Sequence, residues 1–383
     1  MQSPSSTSGT LLERENNRRS NQARRLHYKR SSFWADLPHE LLEIISKSLN
    51  IVDYQNLGRV CRSWRLFCSE FKQKFLTSQS PLVVYASSRA KKYFYFFDIA
   101  TGMKYKTKLP QFVCNFKLCL GVSSGYLIML CLKKNDVSGS CLSVVNPVTG
   151  HQVQFPCMPQ PPCIKYYEYR SIFATFGSQV QDFLIMYMDR RCLQFCTSKD
   201  NQWKEYYDIN GRLLDTVVFD GRIYILNSNS QIGTFNPRSC DLRILELKFA
   251  PDFSHSFHGL IRLVASNDQL FVLNFPKVYR IDLSRKEWVL MYNFDDQALF
   301  FGSDYMMCSK VINPTKWGGQ SNYIYSLVSS CIIYLRPYNP EEPQETIIID
   351  LPSQVFGKGY ASAKILSWDF LHQSSRIENV RDD

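Results

Sequence analysis

The chain has no CxxC pair, no apolar run long enough to cross a bilayer and no familiar catalytic signature. Each absence removes a class of function. The most apolar stretches, 125–132 and 326–335, fall well short of the roughly 18 residues that a spanning helix needs; both read as buried strands. Residues 1–10 are rich in Ser, Pro, Gly and Thr and lead into no apolar core of the kind a secretory signal carries. The expectation is a protein of the cytoplasm, the nucleus or both, with no membrane contact. Its 13 cysteines are odd in number, and Cys114/Cys119, Cys157/Cys163 and Cys192/Cys196 are spaced wrongly for the common zinc frameworks. They are expected to be reduced thiols packed as small hydrophobes, with no metal and no cofactor.

Enzyme signatures are equally scarce. There is no GxSxG, P-loop, GxGxxG or HExxH. Of the six histidines, His255 and His258 stand three apart, but Pro251, Asp252, Ser254 and Gly259 around them read as a loop. The acid pairs Asp295-Asp296 and Glu341-Glu342 also lie in loop-like sequence. No catalytic residue is assigned, although two carboxylates meeting in a central channel would be the mark of an enzyme.

What the chain does have is a basic excess, many aromatics and two kinds of periodicity. The formal net charge is +11, and residues 1–32 contribute Arg14, Arg18, Arg19, Arg24, Arg25, Lys29 and Arg30 against only Glu13 and Glu15. Such a segment cannot bury enough surface to fold alone. It is expected to be a disordered basic tail, serving as a solvated extension, a nuclear localisation signal or a nucleic-acid contact. The rest of the chain is too mildly charged for a nucleic-acid footprint.

Residues 36–49 read as a helix capped by Asp36, with Pro38 in its first turn and Leu41, Ile45 and Leu49 on one stripe. Asn50 is expected to end it and Asp53 to cap the next. Leu57, Val60, Cys61, Trp64, Phe67, Cys68 and Phe71 then follow the 3.6-residue period as a second helical stretch. About 40 residues of helix cannot build a self-sufficient core, so apolar residues left on the outer face call for a partner.

Leu37-Pro38-x-Glu40-Leu41-Leu42-x-x-Ile45, Asp53, Leu57 and the ending Val60-Cys61-Arg62-x-Trp64-Arg65 resemble an F-box. The resemblance implies docking on a Skp-type adaptor and, through it, a cullin. Carried over position by position, the implied adaptor-binding residues are Leu37, Pro38, Leu41, Leu42, Ile45, Leu57, Val60 and Trp64, some of which would be internal packing.

From Pro81 onward the period changes to two. Runs at 82–85, 93–97, 142–145, 183–187, 222–226, 270–273, 278–281 and 323–327 read as strands, with no three-turn amphipathic helix between them. Turns beginning at Asp98, Asn146, Cys196, Asn236 and Asp282 recur every 40 to 50 residues, the period of propeller blades. They are expected to join inner or middle strands, with Phe219–Tyr224 and Val264–Phe271 forming a second class of hairpin. The fold class is therefore a small all-α module followed by a large all-β domain, a β-propeller of six or seven four-stranded blades. A tandem of β-sandwiches is the alternative.

Trp34–Pro38, the stretch 142–150, Ala298–Gly302 and Asn322–Tyr325 resemble the plant kelch-like domain that commonly follows an F-box, whereas Ser303–Gln320 departs from that pattern. The organisation expected is a tail at 1–32, an F-box module at 33–76, a substrate-recognising propeller at 81–370 and a polar C-terminal tail at 371–383. The resemblance implies a non-catalytic substrate receptor of a Skp–cullin–F-box ubiquitin ligase that holds an unidentified target protein. A propeller scaffold or nucleic-acid-associated protein without a ligase role is the other reading.

Overall fold

A computed structural model describes residues 34–380 except 88–92, 109–115, 134–135, 148, 159–169, 177–181, 189–190, 208, 257–260, 267–268, 303–309, 330–331, 342–344, 351–362 and 370–378. The basic tail at 1–32 and most of the segment at 371–383 lie outside the described residues. The chain divides between Gln79 and Ser80 into two compact units.

The first unit is built on three helices, α1 (His39–Lys47), α2 (Ile51–Val60) and α3 (Arg62–Thr77). Pro38, not Asp36, occupies the cap position of α1, and no side chain caps that helix. Ser48, not Asn50, closes α1; Asn50 caps α2, its Oδ1 accepting from the N–H groups of Val52 (2.9 Å) and Asp53 (3.0 Å). Asp53, expected as the cap, instead accepts from Asn50 Nδ2 at 2.6 Å. This satisfies orphan donors at the helix start, so Asn50→Ala should lower the melting point of this unit through a loss of about 1 kcal/mol.

The second apolar period is not one helix. Cys61 takes extended backbone (φ −154°, ψ 176°) and breaks it, its Sγ then accepting from Trp64 N–H at 3.5 Å as the cap of α3. Period alone could not reveal the break, because stripe residues on both sides of it, Leu57 on α2 and Phe67 and Cys68 on α3, are buried. Leu42, Tyr54, Leu57, Phe67, Phe75 and Leu76 form that interior. Tyr54 stacks on Phe75 with centroids 3.8 Å apart and donates its hydroxyl to the Cys68 carbonyl at 2.8 Å. Burial pushes the Tyr54 phenol well above its ordinary pKa.

The second unit is a six-bladed propeller. Blade two is β4 (Phe116–Ser123), β5 (Tyr126–Lys133), β6 (Asp136–Val145) and β7 (Gln152–Cys157). Blade three is β8 (Arg170–Phe176), β9 (Phe183–Met188), β10 (Leu193–Thr197) and β11 (Lys204–Tyr206). Blade four is β12 (Leu213–Phe219), β13 (Arg222–Asn227), β14 (Ile232–Asn236) and β15 (Asp241–Ile244). Blade five is β16 (Arg262–Ser266), β17 (Gln269–Asn274), β18 (Lys277–Asp282) and β19 (Glu287–Leu290). All four are antiparallel meanders.

Blade six departs from this plan, within the stretch whose sequence also departs. Its β20 (Ala298–Phe301) pairs in parallel with β22 (Tyr323–Ser329), followed by β23 (Ile332–Pro337) and β24 (Ile347–Asp350). The intervening β21 (Lys310–Ile312) adds a fifth strand on the inner side, beside β16. The apolar run 326–335 is thus the end of β22 and part of β23, not one strand.

Blade one closes the ring. The N-terminal β1 (Leu82–Ser87), β2 (Tyr93–Asp98) and β3 (Lys104–Lys108) are completed by β25 (Ala363–Asp369), which pairs with β1 as the innermost strand. Trp368 of β25 is fully buried and donates its Nε1–H to the Phe301 carbonyl at 3.0 Å, tying blade one to blade six. A last short strand, β26 (Asn379–Val380), pairs in parallel with β8 on the inner side of blade three.

The five recurring turns join the third and fourth strands at the outer side of successive blades, not inner or middle strands as their spacing suggested. Their chemistry explains why they were legible. Asp98 Oδ1 accepts from Ala100 N–H (2.9 Å), Asn146 Oδ1 from Thr149 N–H (2.9 Å) and Asp282 Oδ1 from Arg285 N–H (2.9 Å). Side-chain oxygens thus fold each bend from within. Hydrogen bonds from Ser284 and Arg285 hold the Asp282 carboxyl below its usual range. Gly102 and Gly150 follow with φ of +70° and +73°, where a side chain would be strained. The second hairpin class joins first and second strands. Asp220-Gly221 supplies it between β12 and β13 with two positive φ angles, the twist that suits a two-residue hairpin.

Candidate functional site

On the helical module, the apolar residues that do not fit inside are the first candidate surface. Val60 and Ile44 are both 61% exposed and Leu66 is 55% exposed. Leu41, Ile45 and Val52 are exposed as well, and so is Trp34, whose carbonyl accepts from Trp64 Nε1–H at 2.9 Å. Of the eight positions implied by the F-box resemblance, Leu41, Ile45, Val60 and Pro38 are exposed, Leu37 and Trp64 are half-buried, and Leu42 and Leu57 lie in the interior. Sequence reasoning missed Trp34, Ile44, Val52 and Leu66. The run Leu41-Leu42 with Ile44-Ile45 was a usable signal, because four apolar residues within five helix positions span more of the circumference than one buried stripe covers.

A second feature was also missed. Three neighbouring inner strands of the propeller bring together Arg170 (β8), Asp215 (β12) and Arg262 (β16), all buried. Arg170 Nε lies 3.5 Å from Asp215 Oδ1; Asp215 also accepts from the N–H groups of Leu263 (2.8 Å) and Thr216 (2.9 Å). Arg262 donates Nη1–H to the Ile261 carbonyl at 2.7 Å and lies over the Phe301 ring. Burial pushes the Asp215 carboxyl up, opposed by the two guanidinium groups. Burial, reinforced by Arg170, pushes Arg262 well below its ordinary value. The cluster carries one more positive than negative charge and includes no nucleophile or proton-transfer pair, so its geometry is that of a buried ionic tie between blades.

Among the described residues, two of the propeller's cavities have the size of a ligand. One of about 510 Å³ is lined by Arg191, Tyr207, Ile209, Gly211 and Arg212. The other, of about 540 Å³, adjoins the β17–β18 turn and includes His255, Asn274, Phe275 and Lys277. His255 is exposed there; His258 lies outside the described residues. Among the described residues, no three His, Cys, Asp or Glu side chains gather as a metal site. Asp295 and Asp296 are exposed, Asp296 accepting from Asn313 Nδ2 at 2.6 Å, and Glu341 is exposed on its loop. Cys68, Cys119, Cys131, Cys192 and Cys196 are buried, and burial pushes the Cys119 thiol up to about 12, an inert state. Among the described residues no helix is long and apolar enough to cross a membrane.

Comparison with known proteins agrees with this geometry. The KIB1-4 beta-propeller model matches residues 96–348, and the F-box domain model matches residues 34–76. An F-box/kelch-repeat protein of Arabidopsis thaliana is 25% identical over 271 residues, covering 67% of this chain and 73% of its own length. Among solved structures, TolB from Acinetobacter baumannii overlaps with a TM-score of 0.36 at 10% identity, covering 70% of this chain and 65% of TolB. PorZ of Porphyromonas gingivalis overlaps with a TM-score of 0.30 at 12% identity, covering 71% of this chain but only 31% of PorZ. Overlaps this loose carry nothing about function.

Proposed function

The chain belongs to the KIB1-4 β-propeller family and carries an F-box ahead of its propeller, and from that pairing we propose that it is the substrate receptor of a Skp–cullin–F-box ubiquitin ligase. The observation that carries this reading is the surplus of exposed apolar side chains on a module whose interior is already filled by Leu42, Tyr54, Leu57, Phe67 and Phe75. Exposed apolar side chains in this number on so small a module mark a protein interface. The adaptor contact is assigned to Leu37, Pro38, Leu41, Ile45, Val60 and Trp64, joined by Ile44, Val52 and Leu66. Leu42 and Leu57 support that face from beneath.

The propeller then holds a target protein beside a ubiquitin-charged enzyme brought by the cullin. Rate acceleration in such an assembly comes from proximity, since tethering two reactants raises their effective concentration. The chain itself needs no catalytic residue. Cytoplasm, nucleus or both are the compartments that suit this role.

Co-purification with a Skp-type adaptor and cullin tests the reading. Wild type should recover both. A Leu41→Asp, Val60→Asp double variant places two charges on exposed positions, so it should fold normally and lose adaptor affinity by about a hundredfold or more. A well-folded wild type that recovers no adaptor would sink the proposal; equal recovery by both proteins would move the contact elsewhere on the chain.

A further inference from the structure

Blade two sets three cysteines side by side across adjacent strands. Cys131 on β5 stands opposite Cys141 on β6, and Cys141 stands opposite Cys157 on β7. All three are thiols. Directly opposed residues of an antiparallel pair project on one face, with Cα atoms about 4.5–5.5 Å apart. A disulfide spans Cα separations of about 4.4–6.8 Å, so the ladder puts neighbouring thiols within bonding range.

The pairing of Cys141 with Cys157 depends on a local device. The register of β6 and β7 shifts between the pairing of Ser143 with Gln154 and that of Cys141 with Cys157. In an unbroken ladder Pro156 would stand opposite Cys141; one extra residue in β7 brings Cys157 there instead. Bulges re-aim side chains in this way. Blade three holds the backbone beside Cys157, since Trp203 donates its Nε1–H to the Pro156 carbonyl at 2.9 Å, and the neighbouring Phe155 is buried. Burial then separates the three thiols. Cys141 and Cys157 are half-buried, whereas Cys131 is 8% exposed. That burial also pushes the Cys131 thiol above its ordinary range, which suppresses the reactive thiolate.

We propose that Cys141 and Cys157 form an oxidisable dithiol, reduced at rest and closed to a disulfide by hydrogen peroxide. The inference goes beyond the receptor reading and does not depend on it. The Cys157 thiolate attacks one peroxide oxygen, the O–O bond breaks, and the departing hydroxide takes up a proton as water. Cys157 is then a sulfenic acid. The Cys141 thiolate attacks its sulfur, the S–S bond forms, the S–O bond breaks and a second water leaves. Two thiols lose two protons and two electrons, and the peroxide is reduced to water. Cys157 reacts first because it lies on the last strand of the blade sheet, while Cys141 has a strand on either side. The bond ties β6 to β7 across the turn at 146–150, which makes the outer hairpin of blade two the element that responds to oxidant. In a reducing compartment such a bond is transient.

Peptide mapping of the full chain tests this. The reduced protein is exposed to hydrogen peroxide, remaining thiols are blocked with N-ethylmaleimide, and the digest is read by mass spectrometry without reductant. The first bond to form should join Cys141 to Cys157, and dithiothreitol should reopen it. The pair should be consumed about tenfold or more faster than the buried Cys119. Cys141→Ser should stop the reaction at a Cys157 sulfenic acid that dimedone traps, and Cys157→Ser should prevent the bond. Wild type unfolded in urea should give scrambled pairings. A first bond elsewhere, Cys131 to Cys141 included, overturns the proposal, as does oxidation of the pair no faster than that of Cys119. The same single bond in urea would trace the pairing to sequence proximity and overturn it too. Cys157 left unlabelled by dimedone in Cys141→Ser would overturn its role as the attacking thiol. Melting curves check that the serine variants fold, and the wild-type map decides the pairing without them.

Discussion

Replacing Asp215 by alanine should destabilise the propeller by about 3–5 kcal/mol, the cost of removing one partner from a buried ion pair. Arg170 and Arg262 would then be left as two like charges in the interior, and the N–H groups of Leu263 and Thr216 would lose the oxygens they now meet at 2.8 and 2.9 Å. Equilibrium urea unfolding measures the effect, read as a lower midpoint with an unchanged slope. The informative control removes the whole cluster. A triple variant, Arg170→Met, Asp215→Leu and Arg262→Met, should be neutral or more stable than wild type, because desolvating the charges costs more than their mutual attraction returns. A single variant as stable as wild type would mean that Asp215 does not hold the two arginines. A triple variant as damaged as the single would mean that the cluster contributes net stability.

This cluster also shows where reading the chain alone runs out. Asp98, Asn146 and Asp282 were legible because each builds its own bend from atoms two or three residues away. The same holds for the strand runs, whose alternation is a local property. Arg170, Asp215 and Arg262 stand roughly one blade apart in sequence, and they meet only because the inner strands are packed around an axis. Nothing local in their neighbourhoods announces this. The break at Cys61 was hidden for a related reason, since a change of helix direction need not disturb an apolar period. The blade number stayed open at six or seven because the insertion around β21 stretched blade six beyond the length of the four-stranded blades. On the helical module, the motif pointed to residues 37–65, where the F-box domain model also matches. Which of its residues face outward depended on how three helices fill one another, which is how Leu42 came to be buried while Ile44, unassigned by the motif, came to be exposed.

Deleting residues 363–383 should abolish the folded propeller, whereas deleting 370–383 should leave it nearly as stable as wild type. The difference is one strand. β25 pairs with β1 along its whole length and supplies the inner edge of blade one. Trp368 fills the seam beside Val83, Tyr85, Ala298 and Phe300, its ring meeting Phe300 edge to face at 5.2 Å. Without β25, blade one keeps three strands and the seam with blade six exposes this aromatic cluster to water. Trp368→Ala alone should cost about 3–5 kcal/mol by leaving a large cavity, and removal of the strand adds the unpaired edge of β1 to that loss. Among the described residues, the shorter deletion removes β26 and its two-residue pairing to β8. Circular dichroism melts and limited proteolysis distinguish the outcomes. A cooperative, protease-resistant propeller lacking 363–383 would show that the ring does not depend on its closing strand. Loss of folding on removing only 370–383 would move that role to the segment after β25. Closure of this kind joins β1 and β25 in one blade, so stability of the propeller depends on residues separated by almost its full length.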